Sequence, residues 1–136
     1  MNGAGSLRRD FPGWLITHDG DGWSAERADG LRLSALVVTQ VRAAGFEALR
    51  AALEVIARGD AEILLRRLAR ALGKRGRRAR VCGGCLTVRA PDGREKVVTC
   101  NGGRFRWEGG WAVGSVTDVE ETAALIDRAL WKVCSR

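Results

Sequence analysis

The sequence predicts an α+β fold: a small four-stranded antiparallel meander packed by helices, in the order α-β-β-β-β-α, preceded by a hairpin-plus-helix unit. Three observations predict it. Short β-prone runs separated by turn residues follow one another from Cys85 to Val116. Apolar residues at helical spacing lie on both sides of them, Leu64, Leu65, Leu68 and Leu72 before, and Val119, Ala123, Ile126, Leu130 and Val133 after. Two Asp-Gly pairs, within His18-Asp19-Gly20-Asp21-Gly22, separate two Trp-bearing runs near the start and mark a hairpin turn.

Taken in order, residues 1–10 read as a flexible tail and residues 11–58 as the hairpin-helix unit. Trp14 to Thr17 and Trp23 to Arg27 form the hairpin strands, on which the two indoles can pack across the pair. From Ser34 to Arg58 the pattern favours helix, capped by Ser34 and interrupted at Gly45, with a strand at 46–51 as the alternative. Residues 60–136 form the α-β4-α unit. Gly59 ends the preceding element, Asp60 caps a new helix, and Gly73 stops it. Cys85–Arg89, Lys96–Cys100, Arg104–Glu108 and Trp111–Val116 supply four strands, with Pro91-Asp92-Gly93, Asn101-Gly102-Gly103 and Gly109-Gly110 as turns. Thr117 or Asp118, with Glu120 or Glu121 three residues on, caps the last helix.

Charge is concentrated. Of seven net positive charges, five sit in residues 73–80, at Lys74, Arg75, Arg77, Arg78 and Arg80. Residues 1–72 carry ten Lys/Arg against nine Asp/Glu, and residues 81–136 carry eight against seven. Arg outnumbers Lys twenty to three, as GC-rich coding would produce, which weakens a functional reading of arginine abundance. The stretch reads either as a basic connector, solvated after a helix C-terminus, or as a phosphate-neutralising cluster. Arg104 and Arg106 share one strand face and can extend such a patch, while Phe105 and Trp107 point the other way.

Cys82-Gly83-Gly84-Cys85 has the spacing of a metal knuckle, but a structural zinc site needs four ligands. Cys82, Cys85 and Cys100 are the candidate metal ligands, with His18 and Cys134 as more distant ones. A thioredoxin-like role needs a following helix N-terminus, and the residues after Cys85 are strand-like. The Asp-Gly repeats around His18 lack the ligand run and terminal Glu of a calcium loop. No phosphate loop, dinucleotide fingerprint, nucleophile elbow or metalloprotease pair occurs, and no catalytic residue is assigned.

The strings WLITHDGDGWSAER, residues 14–27, and GRFRWEGGWAVGSVTDVEETAALIDRAL, residues 103–130, resemble segments of small uncharacterised proteins frequent in actinobacteria. The resemblance implies an actinobacterial source and the fold class, and carries no activity.

Residues 1–10 are polar, with no apolar run behind them, and the longest apolar run, Ala35-Leu36-Val37-Val38, is too short for a bilayer. The expectation is therefore a cytoplasmic protein with reduced cysteines, no cofactor and no membrane contact. Its leading function is a non-enzymatic module binding another protein. The alternatives are a nucleic-acid accessory protein using residues 73–80, and a zinc or thiol-redox protein using Cys82 and Cys85.

Overall fold

A computed structural model of the chain describes residues 3–20, 22–28, 33, 36–101 and 103–134. The expected roles of Asp21, Ser34 and Gly102, and of the Val133 and Cys134 side chains, lie outside the described residues. Two compact units divide at Asp60/Ala61. The class is α+β, with three helices and two antiparallel sheets among the described residues. Among the described residues no helix is long and apolar enough to cross a membrane.

Unit 1 contains α1 (Gly3–Asp10), β1 (Trp14–Asp19), β2 (Gly22–Arg27), β3 (Gln40–Ala43) and the first part of α2 (Phe46–Lys74). The sheet runs β1-β2-β3. Residues 3–10 are helical, against the expected tail. Leu7 is fully buried with Trp14, Ile16, Ala25, Leu49 and Leu53. Arg50 Nη2 donates to Ser6 Oγ at 3.0 Å and to Asp10 Oδ2 at 2.9 Å, tying α1 to α2. A single long apolar side chain, Leu7, in the eight residues of α1 gives no periodicity, so this helix depends on tertiary contacts.

The expected helix before Gly45 is instead strand at 40–43, because the β-branched run Val37, Val38, Thr39 and Val41 outweighs the helical pattern. Val41 faces Ala25 across the ladder. The expected packing of the two indoles is also replaced: Trp14 lies opposite Arg27, and Trp23 opposite His18. The imidazole and indole stack with centroids 4.2 Å apart.

The expected break at Gly59-Asp60 is absent, and α2 runs unbroken for 29 residues. The Asp60 carboxylate is used elsewhere: Arg27 Nη2 donates to its Oδ2 at 2.8 Å. Arg27 also donates through Nε and Nη2 to the Val38 carbonyl at 2.9 and 2.7 Å, and its guanidinium carbon sits 4.4 Å from the Trp14 ring centroid. Its side chain is 3% exposed and that of Asp60 17%. A charge this deep requires its partner.

Unit 2 contains the rest of α2, then β4 (Ala79–Cys82), β5 (Cys85–Arg89), β6 (Glu95–Asn101), β7 (Arg104–Trp107), β8 (Ala112–Ser115) and α3 (Val119–Cys134). The meander has five strands in sequence order, one more than expected, because the end of the basic stretch forms β4. Leu86, Val88, Val98 and Phe105 fill the inner face; Leu64, Leu65, Leu68 and Leu72 of α2 and Ala123, Ile126 and Leu130 of α3 are buried as well. Asp118 caps α3, its Oδ1 accepting from the Glu121 amide at 3.0 Å. Thr122 Oγ1 donates to the carbonyls of Asp118 and Ser115, at 2.9 and 3.3 Å. Gly114 of β8 lies so close that an added Cβ would fall inside the Thr122 hydroxyl and 3.1 Å from its Cβ.

Two outcomes follow. Gly114→Ala should destabilise unit 2 by about 1–3 kcal/mol through overpacking, and Thr122→Ala in the same chain should recover part of that loss, as a double-mutant cycle in urea would read. Asp60→Ala should cost unit 1 about 2–3 kcal/mol by stranding the Arg27 charge, read as a lower urea midpoint of its transition.

Candidate anion-binding surface

The basic stretch is ordered, and its charges go to two different places. The helix stop is Gly76, not Gly73. The Arg77 amide donates to the Leu72 carbonyl and the Gly76 amide to the Gly73 carbonyl, both at 3.0 Å, with Gly76 at φ 79°. This paired closure is a Schellman motif, which needs a left-handed residue where glycine alone is unstrained. Gly76 therefore terminates α2 rather than loosening a connector.

Arg75 and Arg77 turn toward α3. Arg77 Nε donates to Asp127 Oδ1 at 2.5 Å, and Arg75 Nη1 lies 3.5 Å from Asp127 Oδ2. The Arg77 guanidinium carbon sits 4.7 Å from the Trp131 ring centroid. With side chains only 13% and 18% exposed, the Arg77–Asp127 pair is partly desolvated and structural. Lys74 lies 3.9 Å from Glu120, an exposed pairing worth little.

Arg78 and Arg80 go the other way. Strand residues alternate between faces, so the ladder assigns each side chain from its buried neighbours. Arg80 pairs with Thr87, Thr87 with Val97, and Arg89 with Glu95. Cys82, Cys85, Thr99 and Arg106 form one continuous row from β4 to β7, and Arg104 pairs with Ser115. All of these have parity opposite to buried Leu86, Val88, Val98 and Phe105, and none is buried. Arg78, just before β4, accepts the Arg89 amide at its carbonyl and lines a shallow hollow with Arg80, Thr87, Arg89 and Glu95.

Among the described residues this outer face therefore carries five arginines, at 78, 80, 89, 104 and 106, against two carboxylates, Glu95 and Glu108, the latter just after β7 with its amide donating to the Val97 carbonyl at 2.9 Å. Glu95 lies 3.8 Å from Arg89, and Arg106 Nη1 donates to the Gly110 carbonyl at 3.1 Å. Arg78, Arg80 and Arg104 have no carboxylate within ion-pair distance among the described residues. At a strand spacing near 4.8 Å, the row from β4 to β7 spans roughly 15 Å. Of the sequence-predicted anion-binding residues, the fold brings Arg78, Arg80, Arg104 and Arg106 together and separates Lys74, Arg75 and Arg77 from them. Arg89 was missed, although its parity with Thr87 and Cys85 marks it.

The metal trio does not assemble. Cys82 and Cys85 are partners closing the β4–β5 hairpin, whereas Cys100 pairs with buried Phe105 on the inner face. Among the described residues no group of three or more His, Cys, Asp or Glu side chains is placed to hold a metal ion. Gly83 and Gly84 mark neither a bulge nor a close approach. Their φ values of 61° and 80° build the two-residue turn, with open space around both.

A second feature of unit 2 is apolar. Trp111 lies before β8, not in a strand as expected, and is 79% exposed. With Val97, Trp107, Ala129 and Leu130 it lines a groove of about 430 Å³, rimmed by Glu95, Lys96 and Glu108.

The chain matches no family model, no curated protein and no solved structure. The geometry alone carries the functional reading.

Replacing Asp127 by Ala should cost about 1–3 kcal/mol, because Arg77 keeps its partly buried charge without its acceptor. Asp127→Asn should cost less, since the amide oxygen still accepts. Thermal unfolding of the two variants checks the order.

Proposed function

We propose that the protein is a non-enzymatic binding module that holds the phosphate backbone of a nucleic acid on the outer face of its five-stranded sheet. One observation carries this reading: arginines from β4, β5 and β7, with Arg78 beside them, share an open face on which five arginines outnumber two carboxylates, Glu95 and Glu108, among the described residues. Their planar forks suit phosphate oxygens. Thr87 and Thr99 lie between them as further hydrogen-bonding groups. The charges come from three strands and span four, on an open surface, which fits an extended polyanion better than a small enclosed anion. No recognition helix or base-reading motif accompanies them, so the affinity is electrostatic and largely independent of sequence. A cytoplasmic setting is part of the proposal.

A second reading, a protein partner, rests on the groove beside exposed Trp111, since an exposed aromatic next to apolar residues is a common interface anchor. Capture from native lysate separates the two. Partners lost on nuclease treatment favour the sheet face, and partners lost on Trp111→Ala favour the groove.

The direct measurement is fluorescence anisotropy with labelled single-stranded and duplex oligonucleotides. The triple variant Arg80→Ala, Arg104→Ala, Arg106→Ala should lose at least about tenfold in affinity, and the slope of log K against log salt should fall by about 2. The double variant Lys74→Ala, Arg75→Ala should stay within about twofold, because those side chains lie off the face. Equal losses in both variants, or none in the triple, would overturn the proposal.

A further inference from the structure

We infer that Cys82 and Cys85 form a reversible dithiol–disulfide site at the tip of the β4–β5 hairpin. They are direct cross-strand partners enclosing only Gly83 and Gly84, so both side chains leave the same outer face. The closing pair of such a two-residue hairpin holds its Cα atoms about 5.5 Å apart. A disulfide accepts Cα separations of about 4.4–6.8 Å, so the backbone spacing admits the bond, and a local twist of the hairpin tip brings the Cβ atoms from about 5 Å to the roughly 3.5–4.5 Å that the bond takes. Cys82 is exposed and Cys85 half-buried, which makes Cys82 the thiol that meets an external reagent first. Cys100 faces inward beside Phe105 and cannot compete for either sulfur. The inference is independent of nucleic-acid binding.

The oxidant is a low-molecular-weight disulfide. The Cys82 thiol gives up its proton and attacks one sulfur of that reagent, breaking its S–S bond, forming a mixed disulfide and releasing one small thiol. The Cys85 thiol then gives up its proton and attacks the Cys82 sulfur, forming the intramolecular bond and releasing the second small thiol. Two protein thiols are oxidised, one reagent disulfide is reduced, and the two protons end on the released thiols. Because the closed loop is so short, the bond constrains the unfolded chain little and reverses readily under an excess of dithiol.

The test uses the full chain equilibrated with glutathione disulfide, quenched in acid, alkylated and digested after Arg and Lys. Val81–Arg89 emerges as one peptide containing both cysteines, apart from the peptide containing Cys100. The expected result is that peptide unalkylated and two hydrogens lighter, restored to the doubly alkylated form by dithiothreitol. The effective concentration of the pair should be about tenfold higher in native protein than in urea, since the hairpin preorganises it. Cys85→Ser should stop at the glutathione mixed disulfide on Cys82. Double alkylation of Val81–Arg89 after oxidation, a crosslink from it to the Cys100 peptide or to a second chain, or equal values in buffer and urea would overturn the inference.

Discussion

The Asp127 carboxylate sets the phase of the sheet that follows α2. It accepts from Arg77 and lies beside Arg75, at the point where the Gly76 closure turns the chain out of the helix. Backbone alternation does the rest. With Arg77 pointing toward α3, Ala79 and Val81 follow on the same inner side, and Arg78, Arg80 and Cys82 on the outer side. A slip of one residue would drive Arg80 into the apolar layer formed by Leu86, Val88 and Val98, at a cost no nearby group offsets. One ion pair with an indole against it thus decides which members of a basic cluster are structural and which are displayed.

Unit 1 uses the same device. Arg27 is enclosed by Trp14, the Val38 carbonyl and Asp60, so a charge holds the end of β2, the segment before β3 and the middle of α2 in one arrangement. Among the described residues every buried side-chain nitrogen and oxygen has a partner, and the two buried polar residues, Arg27 and Thr122, are committed to structure. The chain's arginines therefore include two contrasting kinds: those locked against an aromatic face and a carboxylate, such as Arg27 and Arg77, and those on the open sheet. Composition counts both alike.

Sequence pattern made the local elements of unit 2 legible. Alternation in Arg104–Trp107 assigned its two faces, and the Asp118 cap with Glu121 placed the start of α3, because both signals are carried by neighbours in sequence. What stayed hidden depends on distant partners. Gly59-Asp60 has the composition of a helix break, yet Asp60 answers Arg27, 33 residues away, and the helix continues. Leu7 gives no periodic signal, but Trp14 and Leu53 supply its core. The fifth strand was masked by its own charges: Ala79–Cys82 is four residues long and begins inside a run that reads as a solvated face. Arg78 and Arg80 were therefore candidates by charge alone, while the strand that separates them from Arg75 and Arg77 stayed hidden.

A purely structural account of the outward arginines exists for β4 and for Arg89 of β5, which lies 3.8 Å from its cross-strand partner Glu95. β4 ends the sheet, and charged side chains on an edge strand deter pairing with another chain. Arg78 and Arg80 fit that role. Arg104 and Arg106 do not, because β7 is hydrogen-bonded on both sides and has no edge to protect. Their cross-strand neighbours on the described outer face are Thr99, Ala112 and Ser115, and Glu108, two residues beyond Arg106 on that face, is not within ion-pair distance of either. Two positive charges two residues apart on one face of an internal strand, neither of them in an ion pair among the described residues, repel each other in the isolated protein. An anion lying across them would relieve that repulsion, so the internal pair, rather than the denser cluster that dominates the sequence, is what the proposed phosphate contact accounts for.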